Sequence, residues 1–166
     1  MMVIAPNTDS EFTEIRAIAL EVWPKTYGAI LSEAQLHYML NMMYSVASLQ
    51  QQAQEKKHHF ILLKVDGKAL GFASYELNCE NTGMTKIHKL YVLSTQQGKG
   101  LGKRLIDYIA QEASQNHDKA LYLNVNKNNP AQFFYQKLGF TVFKEEVIPI
   151  GNGYVMDDYV MKKDIE

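Results

Sequence analysis

Hydrophobic positions change their period along this 166-residue chain, and the changes divide it into elements. Phe12, Ile15, Ile18, Ala19 and Val22 recur at helical intervals behind Thr8-Asp9-Ser10-Glu11, which has capping-box spacing. Pro24 is expected to end that helix or kink it at Trp23. A short strand over residues 2–5 precedes it. Ser32-Glu33-Ala34-Gln35 forms a second box ahead of Leu36, Met39, Leu40 and Met43, and another helical stretch covers residues 45–57. From His58 the pattern turns to strands. An apolar run over 60–65 breaks at Asp66-Gly67, a hairpin signal, and its partner strand covers 69–77. After a turn over 78–82 and Gly83, a further strand spans 85–93.

Helical spacing returns from about residue 99 to 115, with Leu101, Leu105, Ile106, Ile109, Ala110 and Ala113 on one face. A strand over 120–125 and a helix over 130–138 follow, the helix with Pro130 in its first turn and Gly139 in the C′ position. Strands over 140–148 and 154–161, joined through Gly151-Asn152-Gly153, close the chain. This order predicts an α/β (α+β) fold: a mixed central sheet with helices on both faces. With no repeat, linker or low-complexity tract, residues 1–166 read as one domain.

Composition narrows the class. Hydrophobic residues at 46% and charged residues at 21% fit a soluble globular protein with a real core. A net charge of −1 argues against a general nucleic-acid binder. The one cysteine, Cys79, has no internal disulfide partner, and no residue cluster has zinc spacing, so no metal is expected. No apolar run is long enough for a membrane span and the N-terminus lacks a signal-peptide pattern, so the expected location is the cytoplasm, with no membrane partner.

Chemistry concentrates between Leu90 and Tyr135. Gly98-x-Gly100-x-Gly102 sits between a strand and a helix start, where unpaired N–H groups gather at the positive end of the helix. The spacing matches neither the dinucleotide fingerprint, since Lys103 stands where its third glycine would fall, nor a P-loop. Glycines there allow positive φ and close approach of a phosphate, and Lys99, Lys103 and Arg104 add positive charge. Alone, such a turn is equally simple turn chemistry.

Two motifs in register decide the matter. Gln97-x-x-Gly100-x-Gly102 after a Leu-Tyr-Val strand resembles the acyl-CoA signature of the GNAT N-acetyltransferase superfamily. Asn128-x-x-Ala131-x-x-x-Tyr135-x-x-x-Gly139-Phe140 resembles that family's second block, and the layout is similar to its bacterial spermidine/spermine-type branch. The resemblance implies a mostly antiparallel GNAT-like sheet and acetyl-CoA as co-substrate. It implies that Leu90, Tyr91 and Val92 bond the pantetheine arm and thioester carbonyl, and that Gln97, Gly98, Lys99, Gly100, Leu101, Gly102 and Lys103 form the signature that wraps the pyrophosphate. It also implies that Asn128 contacts the cofactor and that Tyr135, near the sulfur, protonates the leaving thiolate. Without the motif, Tyr135 reads as a packing residue.

Many relatives carry a base glutamate on the strand before the loop. Here that strand, Thr85-Lys86-Ile87-His88-Lys89-Leu90, has no carboxylate. Alternation puts Lys86, His88 and Leu90 on one face, so His88 is the first candidate base, and Glu76 on the preceding strand is the second. His37, His58, His59 and His117 read as surface or packing residues. Glu76, Asp157 and Asp158 could attract a cationic acceptor, although the solvated reading of these carboxylates carries more weight, and Lys86 and His88 argue against a strongly cationic one.

Met39, Met42, Met43, Trp23, Tyr27, Tyr38 and Tyr44 read as core packing or as an adaptable substrate wall. The expected activity is direct transfer of an acetyl group from acetyl-CoA to a primary amine of a small molecule or peptide, in a ternary complex. The alternative is a non-catalytic acyl-CoA-binding or regulatory module on the same fold. The apolar closing strands suggest a homodimer, with sheet core as the simpler explanation.

Overall fold

The structure is a computed structural model that describes residues 1–165. Its elements are β1 (Met2–Ile4), α1 (Asp9–Tyr27), α2 (Glu33–Tyr44), α3 (Val46–Glu55), β2 (His59–Val65), β3 (Lys68–Glu76), β4 (Met84–Val92), α4 (Leu101–Gln115), β5 (Ala120–Asn126), α5 (Ala131–Lys137), β6 (Thr141–Gly151) and β7 (Tyr154–Asp164). The strands follow the order β1-β2-β3-β4-β5-β7-β6 in a mixed, mostly antiparallel sheet, with β4 and β5 parallel. No helix among the described residues is long and apolar enough to cross a membrane. The chain gathers into two compact units, each discontinuous in sequence. One holds Met1–Glu76 with His88–Ile109, the other Leu77–Ile87 with Ala110–Glu166.

The first unit starts from the capping box at Thr8, whose side chain accepts the Glu11 N–H while Glu11 reaches back to the Thr8 N–H. Pro24 does not end α1 as expected; the helix runs on to Tyr27. The carbonyl that loses its donor belongs to Leu20, an exposed residue that water can reach, so the proline is tolerated there. Ser32 and Ser45 cap α2 and α3. The helices pack on one another and α1 also packs on β3. Their shared core is aromatic: Trp23, Tyr44, Phe72 and Tyr91 meet mostly edge-on or tilted at 5.5–6.5 Å between ring centres. Burial pushes the Tyr44 phenol far up. Asp66 and Gly67, at φ 51° and 77°, form the two-residue turn that joins β2 to β3. At Gly71 a side chain would meet the Tyr91 carbonyl oxygen at 2.9 Å, so only glycine lets β3 and β4 approach this closely.

In the second unit the parallel ladder runs from Met84↔Ala120 to Ile87↔Leu123. Asp118 fastens its start, accepting from the Asn78 N–H at 2.8 Å and from the Thr85 hydroxyl. β5 pairs with β7 and β7 with β6, which leaves β6 as an edge strand. Asn129 caps α5 through its Oδ1, and Gly139, at φ 93°, closes it as expected, with the Phe140 N–H bonded to the Tyr135 carbonyl at 3.0 Å.

Candidate functional site

The glycine loop lies within the first unit. β4 ends at Val92; the Leu93 N–H then bonds the Leu70 carbonyl at 2.9 Å, and a short 3-10 turn, Ser94–Gln96, leads out. Gln97 turns its amide back onto the Val92 carbonyl. Gly98 and Gly100 follow at φ 79° and 77°, both in open space, a conformation that L side chains resist. The Arg104 N–H bonds the Gly100 carbonyl at 3.0 Å, so the N–H groups of Leu101, Gly102 and Lys103 have no acceptor within the helix. Lys99 and Lys103 are exposed beside them, held to Gln96 and Asp107. Backbone donors, a helix start and exposed cations together favour an anion such as a pyrophosphate.

Burial along β4 follows the expected alternation. Thr85, Ile87 and Lys89 are buried, whereas Lys86, His88 and Leu90 are half-buried on the other face. Lys89 was not singled out by sequence. It donates to Gln52 of α3 and lies over the rings of Tyr44 and Phe60. Burial, with the like charge of Lys56, lowers its pKa to about 8.

The two candidate bases meet. His88 Nε2 lies 2.9 Å from Glu76 Oε2, although the residues are twelve apart, because β3 and β4 are neighbours in the sheet. A third residue joins them that sequence had assigned to surface or packing. The His58 ring stacks on His88 with centres 3.8 Å apart, and its Nε2 is 4.0 Å from the same carboxylate oxygen. The three side chains are only 12–20% exposed. His58 shows no motif; its lone signal was adjacency to His59 at a strand start.

Among the described residues this trio is the group of donors close enough to hold a metal ion. Two imidazoles on one ion, with donors at about 2.0–2.1 Å, point their ring planes at it. Face-to-face rings 3.8 Å apart do not, so the trio as it stands is hydrogen-bonding apparatus.

The remaining candidates belong to the second unit. Tyr135 is buried at 8% exposure, edge-on to Phe134 and Phe140. Asn128 is exposed, with its N–H bonded to Asn126 Oδ1. Asp157 is solvated as expected and pairs with Lys127 at 2.8 Å. Asp158 corrects that reading. It is 5% exposed, and burial, opposed by a hydrogen bond from Asn124, raises its pKa to about 6. The alternation of β7 turns it inward, beside Asn126 across the β5 ladder.

Comparison with known proteins adds an independent line. The acetyltransferase (GNAT) domain family matches residues 29–162. A Lactobacillus delbrueckii subsp. lactis protein described as an uncharacterized N-acetyltransferase is 25% identical over 96% of this chain and 95% of its own. The spermine/spermidine N(1)-acetyltransferase of Bacillus subtilis is 28% identical over 63% of this chain and 76% of its own. Among solved structures, the PaiA N-acetyltransferase of Thermoplasma acidophilum in complex with coenzyme A aligns at TM-score 0.78 and 21% identity over 99% of both chains. With the family matched across most of its length and the seven-stranded fold in agreement, the chain belongs to the GNAT acetyltransferases, an enzyme family that takes its acetyl group from acetyl-CoA.

Proposed function

We propose that this acetyltransferase moves the acetyl group directly onto a primary amine of a small molecule or peptide within a ternary complex, with His88 as general base. The observation that carries the reading is the 2.9 Å contact between His88 Nε2 and Glu76 Oε2. Donating Nε2–H to the carboxylate puts the imidazole lone pair on Nδ1, the tautomer able to accept a proton, and Glu76 offsets the charge that follows. Glu76 is thereby an orienting group, and the absent strand glutamate is replaced by a histidine backed by one.

In this reading the amine nitrogen attacks the thioester carbonyl and its proton passes to His88. Backbone N–H groups among Leu90, Tyr91 and Val92 stabilise the oxyanion. As the C–S bond breaks, Tyr135 gives its phenolic proton to the thiolate. The loop from Gln97 to Lys103 holds the pyrophosphate, and Asn128 adds a cofactor contact. Holding amine and thioester together supplies much of the rate. A diamine or polyamine is a first acceptor to try, given the Bacillus relative.

The test is free-thiol release from acetyl-CoA against polyamines, amino acids, aminoglycosides and lysine- or N-terminus-bearing peptides. Turnover on one class, with His88→Ala lowering kcat on the order of 10²-fold while coenzyme A still binds, is the expected result. Coenzyme A binding without turnover on any amine would favour the non-catalytic module instead.

A further inference from the structure

Sequence left His58 without a role, yet its place is fixed from two sides. Its N–H bonds the Gln52 carbonyl of α3 at 3.1 Å, directly after Lys57 takes the left-handed conformation at φ 58°. β2 then begins at His59, whose ring stacks on Tyr75 rather than on the trio. The His58 side chain is therefore delivered by the junction of α3 with β2, onto the face of His88.

We propose that His58 is a positioning residue for His88: its stacked ring holds the His88 imidazole in line with Glu76, and the two histidines share a single proton-accepting capacity. This rests on the reading of His88 as base. The geometry supplies both halves. Rings 3.8 Å apart at an interplanar angle of 21° leave His88 little freedom to rotate its Nε2 off Glu76. Glu76 Oε2 faces both histidines, at 2.9 and 4.0 Å, so one carboxylate charge serves two imidazoles. Two imidazolium rings in face contact repel, and a single carboxylate offsets one of them. A proton on His58 therefore prevents His88 from accepting the amine proton.

The elements meeting here carry other ionisable groups: Lys56 and Lys57 at the end of α3, His59 on β2, and Lys86 and Lys89 on β4. Lys86 lies over the Tyr122 ring, and Lys89 bonds Gln52 on the opposite face of its strand. Glu76 and His88 are among the groups in contact with His58.

The experiment uses the full chain with histidine side chains labelled for NMR, together with His58→Phe and His58→Ala. In the wild type His88 should titrate in two coupled steps. His58→Phe, which keeps a flat ring but cannot take a proton, should convert this to one simple step and preserve kcat at high pH. His58→Ala, which removes the ring, should lower kcat roughly tenfold with KM for acetyl-CoA unchanged. A one-step His88 titration in the wild type overturns the proposal. So does a His58→Ala enzyme with wild-type kcat. The titration needs no acceptor. If no amine is acetylated, the proposed function fails while the titration still decides this inference, and it does so in the wild type even if a variant does not fold.

Discussion

Lys89 offers the most direct test of how this fold tolerates charge. The residue is 8% exposed, and its ammonium has a neutral amide as hydrogen-bond partner and two aromatic faces nearby. Burial and Lys56 lower its pKa from the ordinary 10.5 to about 8. The folded lysine thus sheds its proton before the unfolded one, and between these values the unfolded chain binds more protons. Stability must then rise with pH through that window. A displacement of about 2.5 units at 1.36 kcal/mol each amounts to about 3 kcal/mol. Replacing Lys89 with Met keeps most of the volume and removes the charge. At neutral pH the lifted penalty is partly cancelled, since Gln52 Oε1 loses its donor at about 1–3 kcal/mol. The pH slope is therefore the cleaner signature. Urea unfolding of both proteins from pH 7.5 to 10.5 should show the wild type gaining about 3 kcal/mol relative to Lys89→Met. Other lysines and tyrosines titrate in both proteins and cancel in the difference. Parallel curves would refute the reasoning and mean that water reaches the ammonium.

Asp158 behaves in the opposite sense: its raised folded pKa gives stability that is full below about 3.8 and lost as pH rises through about 6. Asp158→Asn should therefore gain up to about 3 kcal/mol on the wild type between pH 3.5 and 7.5, read by denaturant unfolding at each pH. Tyr135→Phe is expected to cost on the order of 10²-fold in kcat with coenzyme A affinity retained; unchanged turnover would remove Tyr135 from the acid role. Gly100→Ala, forced to φ 77°, should lose about 1 kcal/mol of stability and weaken coenzyme A binding measured by calorimetry; unaltered binding would detach the loop from the pyrophosphate. Edge strand β6 exposes Phe143 and Val147, at 59% and 61%, and is expected to pair with a second copy. Light scattering should report a homodimer that Val147→Lys dissociates.

The elements themselves were legible because their signals are local. The Thr8 box, the Asp66-Gly67 turn and Gly139 each act within a few residues, and each does in the structure what its spacing implies. The glycine loop was legible for the same reason. Pro24 does not stop the helix because the carbonyl it leaves without a donor belongs to an exposed residue, Leu20, which sequence does not display. The proposed base was legible in part: alternation put His88 on one face with Lys86 and Leu90, as the structure has it, but its distance to Glu76 is set by strand neighbourhood. His58 and Lys89 were out of reach for a related reason. Each owes its place to α3, through the Gln52 carbonyl in one case and the Gln52 side chain in the other.

The interleaving of the two units has a bearing on synthesis. All segments of the first unit precede Ala110, while the second opens at Leu77 and needs the chain's last strands. On a ribosome adding about 5–20 residues per second, the first unit is complete for some seconds before the second has its material. For the first part of that interval Met84–Ile87 of β4 waits for Ala120–Leu123, a strand edge whose partner is not yet made. Lys86, in the middle of that stretch, puts a charge on the edge when a nascent chain is most exposed to pairing with the wrong neighbour.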